Sequence, residues 1–251
     1  MTVENVRGRT PFGTLLRVET RKLLDTRTSR ILTGILVLLT LVLLVGRGLA
    51  VQGTADLFTL AGTVTIVLGV LLPVLGILTI TGEWSHRTAL TTFTLEPRRG
   101  RVLAAKCVPV LVAAVAACLL ALLVAVPVTA VAASVQGVQA TWGLAPAPVL
   151  GWVATMVLTS AQGLALGMML LNAPAAIVIY LVAPMALSFA GQLGTAGRTM
   201  ADWLAPGAAG EALADGSMTG ADAARLLTSA MVWIVIPVAI GVSRILRKDV
   251  H

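Results

Sequence analysis

The 251-residue chain is 57% hydrophobic and only 12% charged, with a mean hydropathy of +0.95. Soluble domains do not reach such hydropathy with so little charge, so the composition points to a polytopic, all-α integral membrane protein. Its length suits one membrane domain over residues 1–251, with no second globular domain. The net charge of +7 and pI near 10.7 do not call for nucleic acid. The cations cluster beside apolar segments, where topology determinants belong.

Residues 1–10 are polar. No signal-peptide pattern is expected, because residues 1–30 are polar and basic and the apolar run after them is too long for an h-region. From Pro11 to Arg30 the spacing predicts an amphipathic helix. Phe12, Leu16 and Leu23 share a face flanked by Leu15 and Leu24, while Arg17, Arg21, Lys22 and Asp25 lie largely elsewhere. A basic polar face of this kind suits the membrane interface. Glu19 falls on the apolar side, within one turn of Lys22. The plainer alternative for this segment is a topogenic basic flank.

The first span is predicted over Ile31–Leu49, uncharged until Arg47, which can snorkel to the outer headgroups. Ala50–Asp56 links it to a second span over Leu57–Thr81. Pro73, near the middle, should kink that helix.

Gly82–Lys106 carries Arg87, Arg98, Arg99, Arg101 and Lys106. Each charge at the bilayer centre would cost about 2.5–3.5 kcal/mol. The stretch is therefore expected as a loop in water, on the cytoplasmic side by its positive charge. Ser85–Leu95 can form a short helix that ends near Pro97. His86, Leu90 and Phe93, with Ala89, fall on one face; Trp84, Thr88, Thr91 and Leu95 fall on the other. Such a helix either packs on the membrane surface or presses against a partner.

The third span, Val102–Ala133, is long enough to tilt or to extend into the cytoplasm, with Pro109 and Pro127 as bends. Ser134–Pro148 is an uncharged link, with Trp142 and Trp152 placed as interfacial tryptophans. The fourth span is Val149–Leu171. Asn172, Ala173 and Pro174 form a tight turn, Pro174 suiting the first turn of the next helix. The fifth span is Pro174–Leu193, with Pro184 inside it. Residues 194–220 suggest two short helices dipping toward the membrane. Thr219 and Asp222 form a capping box that opens the sixth span, Gly220–Ile245. The basic tail holds Arg244, Arg247 and Lys248.

The N-terminal segment has seven Lys/Arg, the loop after the second span five and the tail three. Six spans with both termini cytoplasmic satisfy that distribution.

Here the sequence resembles a family. Glu83, Thr88, Pro97, Arg98, Arg99 and Lys106 match, in order and spacing, the loop after the second span of type-2 ABC transporter permeases. Arg87 departs from the pattern, standing where the family usually has Gly. Glu19 with Lys22 and Arg27 resembles the family's N-terminal elbow helix, and Arg247–Val250 its closing motif. The resemblance implies that residues 82–106 hold a coupling helix docking on a separate ATPase subunit through Glu83, His86, Arg87, Thr88, Leu90, Phe93, Pro97, Arg98 and Arg99. It implies elbow contacts from Glu19, Lys22 and Arg27 within residues 11–30, and a re-entrant pair within 194–220. It further implies a multi-pass protein of the bacterial plasma membrane, embedded in the lipid bilayer. Such a chain would pair with a second permease copy or paralogue and with two ATPase copies, which bind ATP and Mg.

No phosphate-cradling GxxxxGK[ST], HExxH, GxSxG or paired-cysteine pattern occurs, so no cofactor is expected in this chain. The spans carry almost no ionisable residues, which argues against a proton-driven transporter. Energy would then come from outside the membrane. Thr159, Ser160 and Gln162 are candidate pathway-lining residues. More often such residues bond across helices, at about 1 kcal/mol or less each. Thr63, Thr65, Thr155, Ser188 and Gln192 read the same way. Gly163 and Gly167 form a small-xxx-small pair for close helix contact. Cys107 and Cys118 lie about 16 Å apart along one helix and cannot bond to each other.

The leading expectation is the membrane subunit of an ATP-driven exporter moving an amphipathic or lipophilic cargo such as a drug, peptide antibiotic or lipid. The alternative is a non-transporting scaffold or sensor that recruits a cytoplasmic partner through its basic loop. A membrane enzyme is disfavoured by the missing polar constellation.

Overall fold

The computed structural model describes residues 11–85 and 99–247. In chain order these form α1 (Phe12–Asp25), α2 (Arg27–Leu49), β1 (Thr54–Asp56), α3 (Leu57–Gly62), α4 (Thr65–Ser85), α5 (Arg99–Gln136), β2 (Gln139–Thr141), α6 (Pro146–Leu170), α7 (Ala173–Ala190), α8 (Thr195–Leu204), α9 (Pro206–Ala214) and α10 (Gly220–Ala230). A π-helical turn (Met231–Val235) leads into α11 (Ile236–Arg247). Among the described residues, six helical stretches are long and apolar enough to cross a membrane: α2, α4, α5, α6, α7 and the run from α10 to α11.

Local chemistry sets the joints between them. Thr26 ends α1 and caps α2, its side chain accepting from the Ser29 amide at 3.3 Å. The predicted turn at Asn172 is present: its carboxamide accepts from the Ala175 amide at 3.0 Å, and Pro174 lies in the first turn of α7. Leu171 before it takes a left-handed φ of 51°. The capping box is complete, Thr219 Oγ1 accepting from the Asp222 amide and the Asp222 carboxylate from the Thr219 amide.

Three boundaries differ from expectation. The second span is broken after Gly62: Asp56 caps a separate short helix, α3, before α4 begins. α4 runs through Glu83 to Ser85 and α5 starts at Arg99, so the ends of the expected loop over residues 82–106 are helical. The last span contains the π-helical turn, for which periodicity gave no sign. α5, at 38 residues, extends roughly 57 Å, well beyond a hydrocarbon core of about 30 Å.

The bundle has two ends. At one, β1 and β2 pair in parallel, Ala55 opposite Ala140, tying the links after α2 and α5. Asp56 accepts there from the Thr59 amide at 2.7 Å and from Thr141 Oγ1 at 2.8 Å. Burial pushes its carboxyl up, but hydrogen bonds from Thr59, Thr141 and Phe58 outweigh that and hold it below the usual carboxylate value. A lowered folded pKa stabilises above the unfolded value of 3.8 and is lost as pH falls through the folded value. Amide exchange at Ala55 and Ala140, corrected for intrinsic rates, is expected to accelerate on acidification below 3.8. Asp56→Asn should remove that transition; an unchanged profile in Asp56→Asn would show that Asp56 does not hold the link.

At the other end, α1 packs on α5, and Leu23, Leu75, Leu103, Val110, Leu164 and Ile245 share one core cluster. Leu23 and Ile245 lie near opposite ends of the described chain, so those two ends meet at the same end of the bundle. A second cluster, around Leu44, Leu68, Leu72, Cys118, Trp152 and Met156, fills the half nearer the β pair.

The pairing of α4 with α6 is central. A Cβ on Gly163 would stand 2.4 Å from the Pro73 carbonyl oxygen, and one on Gly167 3.2 Å from Ile77 Cα. The small-xxx-small pair therefore meets backbone directly. Pro73 lies inside a helix that continues through it. Its missing N–H deprives the Gly69 carbonyl of its donor, and the Tyr180 hydroxyl from α7 donates to that same carbonyl. Tyr180→Phe is expected to cost about 1–3 kcal/mol by leaving a carbonyl unsatisfied away from water. Thermal unfolding in detergent measures this, and wild-type stability would show the carbonyl has another donor.

Trp152 is not interfacial. It is 2% exposed, donates to Thr65 Oγ1 at 2.8 Å and meets Phe58 edge-on at 6.3 Å. The break before Thr65 leaves that hydroxyl in the first turn of α4, where it receives the indole N–H. Trp142, by contrast, is 48% exposed.

Candidate functional site

Two places gather the polar residues that the sequence singled out. The first lies where α1 crosses α5. Leu15, Leu16 and Leu23 turn inward, while Phe12 and Leu24 are exposed. Glu19 is on the inward face, as its position predicts, and is 5% exposed. Its carboxylate accepts from Lys22 Nζ at 2.9 Å and from Lys106 Nζ at 2.8 Å. Lys106 is 4% exposed, which corrects the expectation that every cation of residues 82–106 lies in water. Its charge is tolerated inside because a carboxylate meets it at hydrogen-bond distance. The pair joins residues 87 positions apart and fixes α1 to the beginning of α5.

Arg27 takes no part. It is exposed on the first turn of α2 and makes no ion pair with a described residue. His86, Arg87, Thr88, Leu90, Phe93, Pro97 and Arg98 lie outside the described residues, as do the expected helix over Ser85–Leu95 beyond Ser85 and the side chains of Glu83 and Arg99.

The second place is on α6. Thr159 and Gln162 line a cavity of about 40 Å³ between α6, α9, α10 and the π-helical turn, with Thr155, Ser229 and Trp233. Ser160 is not on its wall. It is fully buried and its hydroxyl is occupied by the Met156 carbonyl at 2.7 Å. The Thr159 hydroxyl also bonds to the Met156 carbonyl, at 3.0 Å.

The short helices expected within 194–220 are α8 and α9, and they are tied down at both ends of the cavity. Thr155 Oγ1 donates to the Gly210 carbonyl at 3.2 Å, and Trp233 Nε1 to the Leu204 carbonyl at 2.7 Å. Thr155 stands about 13 Å along α6 from its start, so α9 reaches well down beside that helix. Gly151 makes this possible: a Cβ there would collide with the Leu213 carbonyl oxygen at 1.6 Å.

Tyr180, Ser229 and Trp233 were missed by sequence reasoning, and Lys106, read as a loop cation and a motif residue, was not matched with Glu19. Only Lys106 left a signal: an acidic residue on an apolar face, Glu19, needs a cation, and Lys106 is the last one before a long apolar run. No family model, no curated protein and no solved structure matches the chain.

Proposed function

We propose that this chain is the membrane subunit of an ATP-driven exporter of the type-2 ABC permease kind, in a bacterial plasma membrane with both termini cytoplasmic. The observation that carries the reading is the buried contact of Glu19 with Lys106. It makes one mechanical unit of α1, whose residues resemble the family's elbow helix, and the start of α5, the helix that follows the basic segment whose residues resemble the family's coupling loop. A force applied to that segment would pass along α5 into the bundle. The near absence of ionisable groups in the spans supports an external energy source.

In this mechanism two copies, or one copy with a paralogue, pair with two ATPase subunits. ATP and Mg are held by those subunits. Closure of the ATPases pushes on residues 85–95 and on α1, and the motion alters the packing of α4, α5 and α6. Phe93 and Leu90 insert into a groove on the ATPase, and Arg98 and Arg99 meet acidic groups at its rim. The cargo is amphipathic or lipophilic, because the spans offer apolar surface and few polar groups.

The test is co-expression with a Walker-motif ATPase encoded beside this chain. Removing a buried anchor typically costs about 2 kcal/mol or more, whereas a rim charge costs less and depends on salt. Phe93→Ala should therefore abolish cargo-stimulated ATP hydrolysis in proteoliposomes while insertion and expression persist. Arg98→Ala with Arg99→Ala should weaken assembly most at high salt. Full complex formation and full transport in both variants would instead favour the scaffold reading, in which the basic segment only recruits or orients.

A further inference from the structure

The cavity beside α6 has an unusual division of polar groups. The hydroxyls of Thr155 and Thr159 are already bonded to backbone carbonyls. Gln162 is 4% exposed and Ser229 3% exposed, both line the cavity, and neither side chain hydrogen-bonds to a described residue. Their carboxamide and hydroxyl therefore keep hydrogen-bonding capacity on the cavity wall that a molecule entering it can use. The facing wall is the π-helical turn that carries Trp233 and Ile234. Single π-turns within α-helices recur at functional sites.

We propose that this cavity binds the uncharged hydrogen-bonding end, an amide or hydroxyl, of an amphipathic molecule whose apolar chain lies along Leu158, Leu226 and Ile234. Size and charge set the ligand class. One water needs roughly 10–15 Å³, so 40 Å³ admits a group of a few heavy atoms and excludes a sugar ring. Among the described residues, no ionisable side chain lines the cavity, so a charged head would lose its hydration with no counter-charge to replace it. Gln162 both donates and accepts, and Ser229 does the same. An amide or hydroxyl can use both. The remaining walls are largely apolar, which suits a hydrocarbon chain rather than a bound water alone. The proposal rests on the transport reading only in naming the ligand as cargo; the binding itself needs neither nucleotide nor partner.

The experiment uses the full chain in proteoliposomes and a photoreactive probe, 1-octanol carrying a diazirine on its chain, with labelled sites mapped by mass spectrometry. Saturable labelling is expected at Leu158, Leu226 and Ile234, competed by 1-octanol and not by octane. Gln162→Leu and Ser229→Ala should each lower it about fivefold, the worth of one hydrogen bond. Ala230→Leu fills the cavity without removing a polar group and should abolish it, so the test survives if Gln162→Leu fails to fold. Labelling spread over the exposed apolar faces of α2 and α7, equal competition by octane, or labelling unchanged in Ala230→Leu would each overturn the proposal. Binding as expected in a chain that assembles with no ATPase would leave this site standing and sink the transport reading. Transport without saturable labelling would do the reverse.

Discussion

Glu19→Gln is expected to destabilise the protein by about 3–5 kcal/mol, the usual cost of breaking a buried ion pair from one side. The carboxylate receives two ammonium groups, those of Lys22 and Lys106. The Lys106 side chain is only 5% exposed, so water cannot readily replace the lost partner. Lys22 is half-exposed and should matter less; an exposed ion pair is worth about 0–1 kcal/mol. The expected order is therefore Glu19→Gln and Lys106→Ala severe, Lys22→Ala mild. Replacing both buried partners by apolar residues, Glu19→Leu with Lys106→Met, should recover much of the loss, because it leaves no buried charge unmatched. Thermal unfolding in detergent gives the stabilities. Trypsin cleavage at Arg17 and Arg21, both exposed on α1, reports whether α1 has come away from α5. If Glu19→Gln melted and resisted trypsin like the wild type, the pair would not be what holds α1.

Gly163→Val is expected to separate α4 from α6. The new Cβ would lie 2.4, 2.7 and 2.8 Å from the oxygen, Cα and carbonyl carbon of Pro73. These are backbone atoms, so no rotamer change relieves the clash and a helix must move. Overpacking typically costs about 1–3 kcal/mol. The movement would also disturb the fit of Gly167 on Ile77 and the bond from Tyr180 to the Gly69 carbonyl. Gly34→Ala is the contrast. No atom lies within 4 Å of its Cβ position, and alanine is favoured over glycine in a helix by about 1 kcal/mol. The measurement is unfolding of both variants under one set of conditions. Gly163→Val as stable as Gly34→Ala would show that α4 and α6 do not pack this closely.

What the sequence by itself determined rests on local rules. Hydropathy over windows of about twenty residues located six spans. The side-chain chemistry of Asn172 and of Thr219 with Asp222 located two helix starts. Helical spacing put Glu19 within reach of Lys22 and aligned Gly163 with Gly167 on one face. Each of these depends on residues a few positions apart. The tertiary structure alone decided which helices meet. Glu19 finds Lys106, Tyr180 finds the carbonyl that Pro73 orphans, Trp152 is drawn inward to Thr65, and Gln162 faces Ser229 across a cavity walled by a π-helical turn. Hydropathy cannot foresee such meetings, because lipid and helix interior are equally apolar. A face that will touch lipid therefore reads the same as one that will touch another helix. Close backbone packing and the need to satisfy a few polar groups make the choice, and both depend on the assembled bundle.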